Sequence, residues 1–313
     1  MSTPLPALTA TEAEAAPGRA QREPRTLRTG IPAGSVRAVT WNLLRGGVDG
    51  SDESRLDAQT EILADLAPDV LCLPECGGWE EQDERRLWQV AHRLGMAPVA
   101  MAPSHIGDGR NFTTLLYRPD RLRLLGRRIL GVGVFHHALI RARLRPLTAG
   151  NSDEHDFLAI GTHLSHVDGE ARLREARWLT DYGAASPGVP PRTILLGDLN
   201  TPDREPPDGW SSIPTNLHSR YRQVLPTGRL GRADRRAVQV LLASGWTDPQ
   251  ELTGKRREAT VGYYYANELV SWSLDYGLVS GLAVNAYRTY DTPEARVLSD
   301  HLPVVLDVKV GHA

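Results

Sequence analysis

The chain has 313 residues, 41% of them hydrophobic, enough for one large core or two ordinary ones. A formal net charge of −2 excludes a global basic field for nucleic acid, and no run of about 18 apolar residues exists to span a membrane. Two cysteines, Cys72 and Cys76, are too few for a disulfide framework and lack the companions of a zinc site. Both are expected as small buried hydrophobes in a reducing, cytoplasmic compartment, in keeping with the lack of a basic-then-apolar secretory signal. Lys255 and Lys309 are the only lysines, so nearly all positive charge is arginine, the better bidentate partner for phosphate.

Residues 1–34 are rich in Ala, Pro, Glu, Thr and Arg without periodicity and are expected to form a disordered tail, followed by a single domain over 35–313. Val36, Ala38 and Thr40 alternate with their neighbours and predict a strand ending at Trp41-Asn42. After a Gly- and Asp-rich loop, Leu56, Ile62, Leu63 and Leu66 recur at helical spacing until Pro68. Asp69–Leu73 is an apolar strand ending at Pro74-Glu75, and 82–94 reads as a helix. Strands are predicted at 98–101, 112–117, 122–129, 134–144 and 157–162, the last ending at His163. An amphipathic helix follows at 169–183, carrying Leu173, Ala176, Trp178 and Leu179. Thr193–Gly197 is a short apolar run ending in Asp198-Leu199-Asn200, whose period-2 geometry turns both polar side chains to one side. Residues 201–232 read as a long loop, 233–243 as a short helix, and strands return at 259–265, 272–279, 282–289 and 303–310. Strands outnumber helices yet alternate with several of them, which favours an α+β layered domain with stacked sheets.

The recurring theme is an apolar strand that ends in a side chain suited to catalysis: Asn42, Glu75, His163, Asp198 with Asn200, Asp275, and Asp300-His301 before the last strand. Any one of these is an ordinary turn or core residue; the series points to a site gathered on one rim of a rigid scaffold. The words around them are Thr40-Trp41-Asn42-Leu43, Leu73-Pro74-Glu75, Gly161-Thr162-His163-Leu164, Gly197-Asp198-Leu199-Asn200, Leu274-Asp275-Tyr276 and Ser299-Asp300-His301-Leu302-Pro303-Val304. In this order, over roughly 36–310, the chain resembles the endonuclease/exonuclease/phosphatase superfamily of deoxyribonuclease-I-like, metal-dependent phosphoesterases. Pro74 stands where that family often has Gln, and Ser273 where many members carry Arg.

The resemblance implies a four-layer α/β/β/α sandwich of two stacked mixed sheets flanked by helices, and a divalent cation, Mg²⁺ or Mn²⁺. Oxygen donors on Glu75, Asn42 and Asp300 suit such a hard ion, and no His/Cys set that would prefer zinc is recognised. Family likeness and chemistry together assign Glu75 as the main metal carboxylate with Asn42 beside it, and Asp300 to a second metal position. Asp198 would orient or deprotonate the attacking water, and Asn200 would donate to a nonbridging oxygen. His301 would contact the scissile phosphate with Asp275 on its other nitrogen, and His163 would stabilise the phosphate or assist the leaving group. Asn111 resembles a family Asn facing the site. His136, His137 and His166 match no motif and are assigned solvent-facing or packing roles.

Arginines cluster over 118–145 and 220–236. The first group reads as a solvated face. The second borders the long loop, so Arg220 and Arg222 become candidate substrate contacts, with Trp272 and the Tyr263–Tyr265 run as candidate pocket walls. A hydrolase of a small or lipid-like phosphoester is favoured. A DNA or RNA nuclease is the alternative, disfavoured by the acidic balance and scarce lysine. A non-hydrolytic or binding-only relative is weakened by the presence of every motif side chain. The sequence sets no oligomeric state, and a monomer is compatible with it.

Overall fold

The computed structural model describes residues 34–184, 188–255, 257–267 and 270–310. The tail expected over 1–34 lies outside the described residues except for Gly34, whose carbonyl accepts from Val310 N at 3.0 Å. In chain order the strands are β1 (Ser35–Thr40), β2 (Val70–Leu73), β3 (Ala97–Pro103), β4 (Phe112–Tyr117), β5 (Leu122–Leu130), β6 (Leu139–Pro146), β7 (Phe157–His163), β8 (Thr193–Asp198), β9 (Arg222–Val224), β10 (Leu230–Ala233), β11 (Asp275–Ser280), β12 (Ala283–Thr289) and β13 (Val304–Lys309). The helices are α1 (Ser54–Leu66), α2 (Glu81–Leu94), α3 (Gly169–Leu179), α4 (Thr215–Tyr221), α5 (Arg236–Leu242), α6 (Pro249–Leu252) and α7 (Pro293–Leu298).

The strands form two mixed sheets. One runs β12-β13-β1-β2-β4-β3, the other β11-β8-β7-β6-β5, and β9 and β10 make a separate hairpin. Successive residues of a strand face opposite sides, and the sequence obeys this with apolar residues on both. Val36 and Ala38 of β1, Val70 and Cys72 of β2, Ile194 and Leu196 of β8 and Leu306 of β13 pack between the sheets. Val39, Leu71 and Leu73 face outward against Leu63, Leu66, Leu87 and Leu94 of α1 and α2. Ile160 and Leu195 of the second sheet face Ala176 and Leu179 of α3 and Val238 and Leu241 of α5. The result is a four-layer α/β/β/α sandwich. The sheets approach closely: a Cβ on Gly161 would lie 3.0 Å from Cys72 Sγ, so glycine is needed there for lack of space.

Several local predictions differ from the structure. The strand predicted over 134–144 begins only at Leu139, because Val134 N and Phe135 N both turn back onto Gly131 O. Residues 259–265 are not a strand; Thr260 and Val261 instead donate to Trp272 O at 2.8 and 3.1 Å. The loop predicted over 201–232 contains α4 and the β9–β10 hairpin. Helix α7 went unpredicted although its start is marked in the text: Thr292 Oγ1 caps Ala295 N at 3.2 Å and Pro293 occupies the first turn.

Candidate active site

The inward parity that builds the inter-sheet core also builds the site. On β7, Phe157 and Ala159 point between the sheets, and His163 continues that series. On β8, Ile194 and Leu196 do so, and Asp198 follows. In the sheet register Asp198 pairs with His163 on one side and Asp275 on the other. Three chemistry-bearing residues therefore stand in a row across adjacent strands. Gly197 makes this row tight. Its φ is 154° and an added Cβ would lie 1.8 Å from Thr162 O, so no other residue fits there.

The opposite sheet supplies the rest. Asn42, beyond the end of β1, donates from Nδ2 to Asp198 Oδ2 at 3.2 Å and so bridges the two sheets. Its loop is locked to the chain before β13: Ser299 Oγ donates to Asn42 O at 2.7 Å, and Trp41 Nε1 to His301 O at 2.8 Å. Glu75 and Asn200 both adopt left-handed backbone, with φ of 61° and 47°, strain of a kind that persists where the surroundings enforce it. At Glu75 the enforcement is visible, since its carbonyl accepts from Gly46 N at 2.5 Å and Gly77 N at 2.8 Å.

His301 Nδ1 lies 2.7 Å from Asp275 Oδ2, and its Nε2 lies 3.7 Å from Asp198 Oδ2. Burial alone would lower its pKa, but the Asp275 and Asp198 carboxylates win and hold the imidazolium well above the ordinary range. Asp198, 1% exposed, has its pKa pushed up to about 7, by burial first and then by the Asp275 and Glu75 charges. Asn200 N donates to Asp198 Oδ1 at 2.8 Å, fixing the carboxylate plane. His163 behaves oppositely. Burial and the neighbouring His137 and His301 rings push it well below the ordinary value, so it is neutral. Its Nε2 lies 3.5 Å from Asp198 Oδ2, and its Nδ1 is buried without a hydrogen-bond partner.

Glu75 and Asp300 face the same space. Burial and the Asp300 charge raise the Glu75 pKa, and among the described residues neither carboxylate pairs with Arg or Lys. Two neighbouring carboxylates supply oxygen donors that fit a hard divalent cation; Asn42 turns Nδ2 toward Asp198, and its Oδ1 accepts from Leu44 N at 3.1 Å. The ligating atoms of Asp198, Asp275 and His301 also lie within 4.8 Å of one another. Because His301 Nδ1 is already bound to Asp275, we read that group as a charged dyad beside Asp198.

These side chains open into a cleft of about 410 Å³ lined by Glu75, His163, Asp198, Asn200, Asp300 and His301. Asn42 and Asp275 lie directly beneath, bonded to Asp198 and His301. Asn111, Arg220 and Trp272 also line the cleft; Asn111 Oδ1 and Trp272 Nε1 are buried without partners. Arg222 does not reach it. Its guanidinium donates to Gly231 O and Leu230 O at 2.7 and 2.9 Å and lies over Trp210, so it serves the β9–β10 hairpin. Of the tyrosine run, Tyr264 and Tyr265 line the cleft, whereas Tyr263 turns away and donates to Ser299 O at 2.8 Å. The arginines of β5 and β6 do not line it. Unanticipated cleft residues are Ile213, Leu217 and Val270, which pack with Trp272 into one apolar wall, and His166. The i, i+4 spacing of Leu217 and Tyr221 signalled a short helix, but the surrounding Pro and Gly masked it.

No curated protein sequence matches the chain. Solved structures share its fold. The human Nocturnin catalytic domain with bound sulfate is 18% identical with a TM-score of 0.58, covering 92% of this chain and 99% of that one. ANGEL2, a 2′,3′-cyclic phosphatase, in complex with adenosine-2′,3′-vanadate is 15% identical with a TM-score of 0.61, covering 88% and 95%. A mannosyl-6-phosphatase of Bacteroides thetaiotaomicron is 17% identical with a TM-score of 0.56, covering 87% and 99%. The family model described as "Endonuclease/Exonuclease/phosphatase family" matches residues 39–301, a span that runs from the first sequence word to His301 of the last and holds the whole row of strand-end residues between them. The chain belongs to the endonuclease/exonuclease/phosphatase family.

Proposed function

We propose that the protein hydrolyses a small or lipid-like phosphoester with Mg²⁺ or Mn²⁺. The reading rests on one observation above the others: a buried carboxylate, Asp198, stands between a neutral His163 and a charged His301, opposite two carboxylates that pair with no Arg or Lys among the described residues. Glu75, Asn42 and Asp300 would hold the cation, which when bound supplies Lewis-acid stabilisation of charge on the phosphoryl oxygens. Asp198, poised near neutral pH, orients the attacking water and accepts its proton. His301, kept protonated by Asp275, offers Nε2–H to a nonbridging oxygen. Asn200 spends one amide N–H on Leu164 O at 3.0 Å; the other is available to the phosphate. His163, being neutral, acts as a hydrogen-bond partner of the phosphate more readily than as an acid.

The apolar wall of Ile213, Leu217, Val270 and Trp272 beside a single lining arginine, Arg220, favours a compact, partly apolar leaving group over a long polyanion. The nuclease alternative draws on Tyr264 and Tyr265, exposed by 38% and 40% at the cleft and able to stack bases. The buried free thiols of Cys72 and Cys76 support a reducing, cytoplasmic setting. A Mg²⁺/Mn²⁺ screen over phosphomonoesters, phosphodiesters, phospholipids and nucleic acids tests the proposal. Turnover of a small or lipid ester, absent from Glu75→Ala, is expected. Robust plasmid cleavage with steep salt sensitivity would transfer the assignment to the nuclease, and no metal-dependent turnover of any ester would end both.

A further inference from the structure

Next to the cleft lies a second group of potential ligands that the proposed chemistry leaves unused. His136 and His137 sit in the turn between β5 and β6, and His166 in the loop after β7; their ligand nitrogens lie within 4.8 Å of one another. The tautomer of His137 is fixed by its surroundings. Ser104 Oγ donates its only proton to Asn111 O at 2.7 Å, so at 2.6 Å it accepts from His137 Nδ1–H. Nε2 is therefore a bare lone pair. It is buried, in a side chain with 2% exposure, and has no hydrogen-bond partner. A buried nitrogen lone pair left empty is costly unless something occupies it.

The ring is also held in orientation, stacked on His163 with centroids 3.8 Å apart and planes 8° apart. The other two histidines are more accessible than His137, but their main chains are clamped by one carboxylate. Glu175 of α3 accepts from His136 N at 2.6 Å through Oε1 and from Ser165 N, the residue before His166, at 2.7 Å through Oε2. One fixed ring and two side chains free to swing from fixed backbone describe a site that closes on its ligand. Tetrahedral zinc with bonds of about 2.1 Å holds its nitrogens about 3.4 Å apart, within reach of side-chain torsions alone.

We propose that His136, His137 and His166 form a second cation site, selective for a borderline divalent ion such as Zn²⁺ and distinct from the oxygen-donor set at Glu75. Three imidazoles without a carboxylate discriminate against Mg²⁺ and leave a fourth position for water or a substrate atom. His166 also lines the cleft, so an ion here borders the phosphoester pocket. Ser104 is the partner that sets the anchoring ring's free nitrogen.

The test is Zn²⁺ binding to the full chain, stripped of metal, in excess Mg²⁺, with Co²⁺ absorption as the probe of nitrogen coordination. One equivalent is expected in both wild type and Glu75→Ala. It is expected to weaken at least ~100-fold in His136→Asn/His166→Asn, and ~10–100-fold in Ser104→Ala. The double variant is checked for fold by circular dichroism; Zn²⁺ should raise the melting temperature of wild type and Glu75→Ala but not of this variant. Binding that disappears with Glu75→Ala, survives the double substitution, or is absent from wild type overturns the assignment. None of these outcomes depends on whether the protein hydrolyses phosphoesters.

Discussion

Replacing Asp198 by Asn separates its role in turnover from its role in the fold. The substitution keeps the shape, and the remaining oxygen can still accept from Asn200 N, now 2.8 Å away. The new amide meets the Asn42 Nδ2 donor that sits 3.2 Å from Oδ2, a donor–donor contact costing about 1 kcal/mol. Against this stands the relief of a buried charge. The Asp198 carboxyl is pushed up to about 7 from an ordinary value near 4, and each unit is worth about 1.4 kcal/mol. The sign follows from linkage: a carboxyl raised in the folded state binds protons on folding, so its contribution is full below about pH 4 and is lost as pH rises through about 7. At pH 8 without metal, the wild type therefore carries a penalty of at most about 4 kcal/mol that the variant escapes. Asp198→Asn is expected to be more stable than wild type by roughly 1–3 kcal/mol at pH 8 in EDTA, and to lose that advantage near pH 4. Loss of the base should lower kcat by at least ~100-fold. Urea unfolding at the two pH values and steady-state kinetics with Mn²⁺ read both effects. A variant that is inactive and also less stable at pH 8 would mean that Asp198 holds the structure together instead of serving the reaction.

Two further substitutions probe the row. Asp275→Asn removes the carboxylate 2.7 Å from His301 Nδ1, so the alkaline limb of the pH–rate profile should move to lower pH, and the acid limb should move the same way because the Asp275 charge also raises Asp198; an unmoved alkaline limb would dissociate His301 from the reaction. Gly197→Ala drives a Cβ to 1.8 Å from Thr162 O at a backbone φ of 154°, and should destabilise the fold by about 3 kcal/mol or more by overpacking and strain. A melting temperature within a few degrees of wild type would contradict the close β7–β8 approach.

The site was legible in the sequence to the extent that it follows strand parity. Asn42, His163, Asp198 and Asp275 share the parity of apolar residues in their strands, so a common face could be anticipated without coordinates, whereas the pairing of β7, β8 and β11 that sets three of them in a row could not. Glu75 required more, because its placement depends on a left-handed residue held by Gly46 and Gly77. The cleft wall was illegible. Helix α4 spans Thr215–Tyr221, too short to be stable alone, and exists because Leu217 and Tyr221 pack on Trp272 and Val270. Arg222 misled because charge clustering says nothing about which groups are consumed by nearby carbonyls. The three histidines were dispersed in the text and share no spacing, since the turn carrying His136 and His137 meets the loop carrying His166 only after the second sheet has formed.

The segment bearing α4 and the β9–β10 hairpin is tied to the scaffold by bonds that include Arg172 Nη2 to Arg220 O at 2.6 Å, Ser273 N to Asp203 Oδ1 at 2.9 Å and Arg204 Nη2 to Ser271 O at 3.2 Å. None of these anchors belongs to the catalytic row. One part of the cleft wall, Ile213, Leu217 and Arg220, thus comes from a stretch of polypeptide separate from the strand-end residues. Grafts or randomised libraries confined to that stretch would alter this part of the wall while leaving the strand-end residues in place.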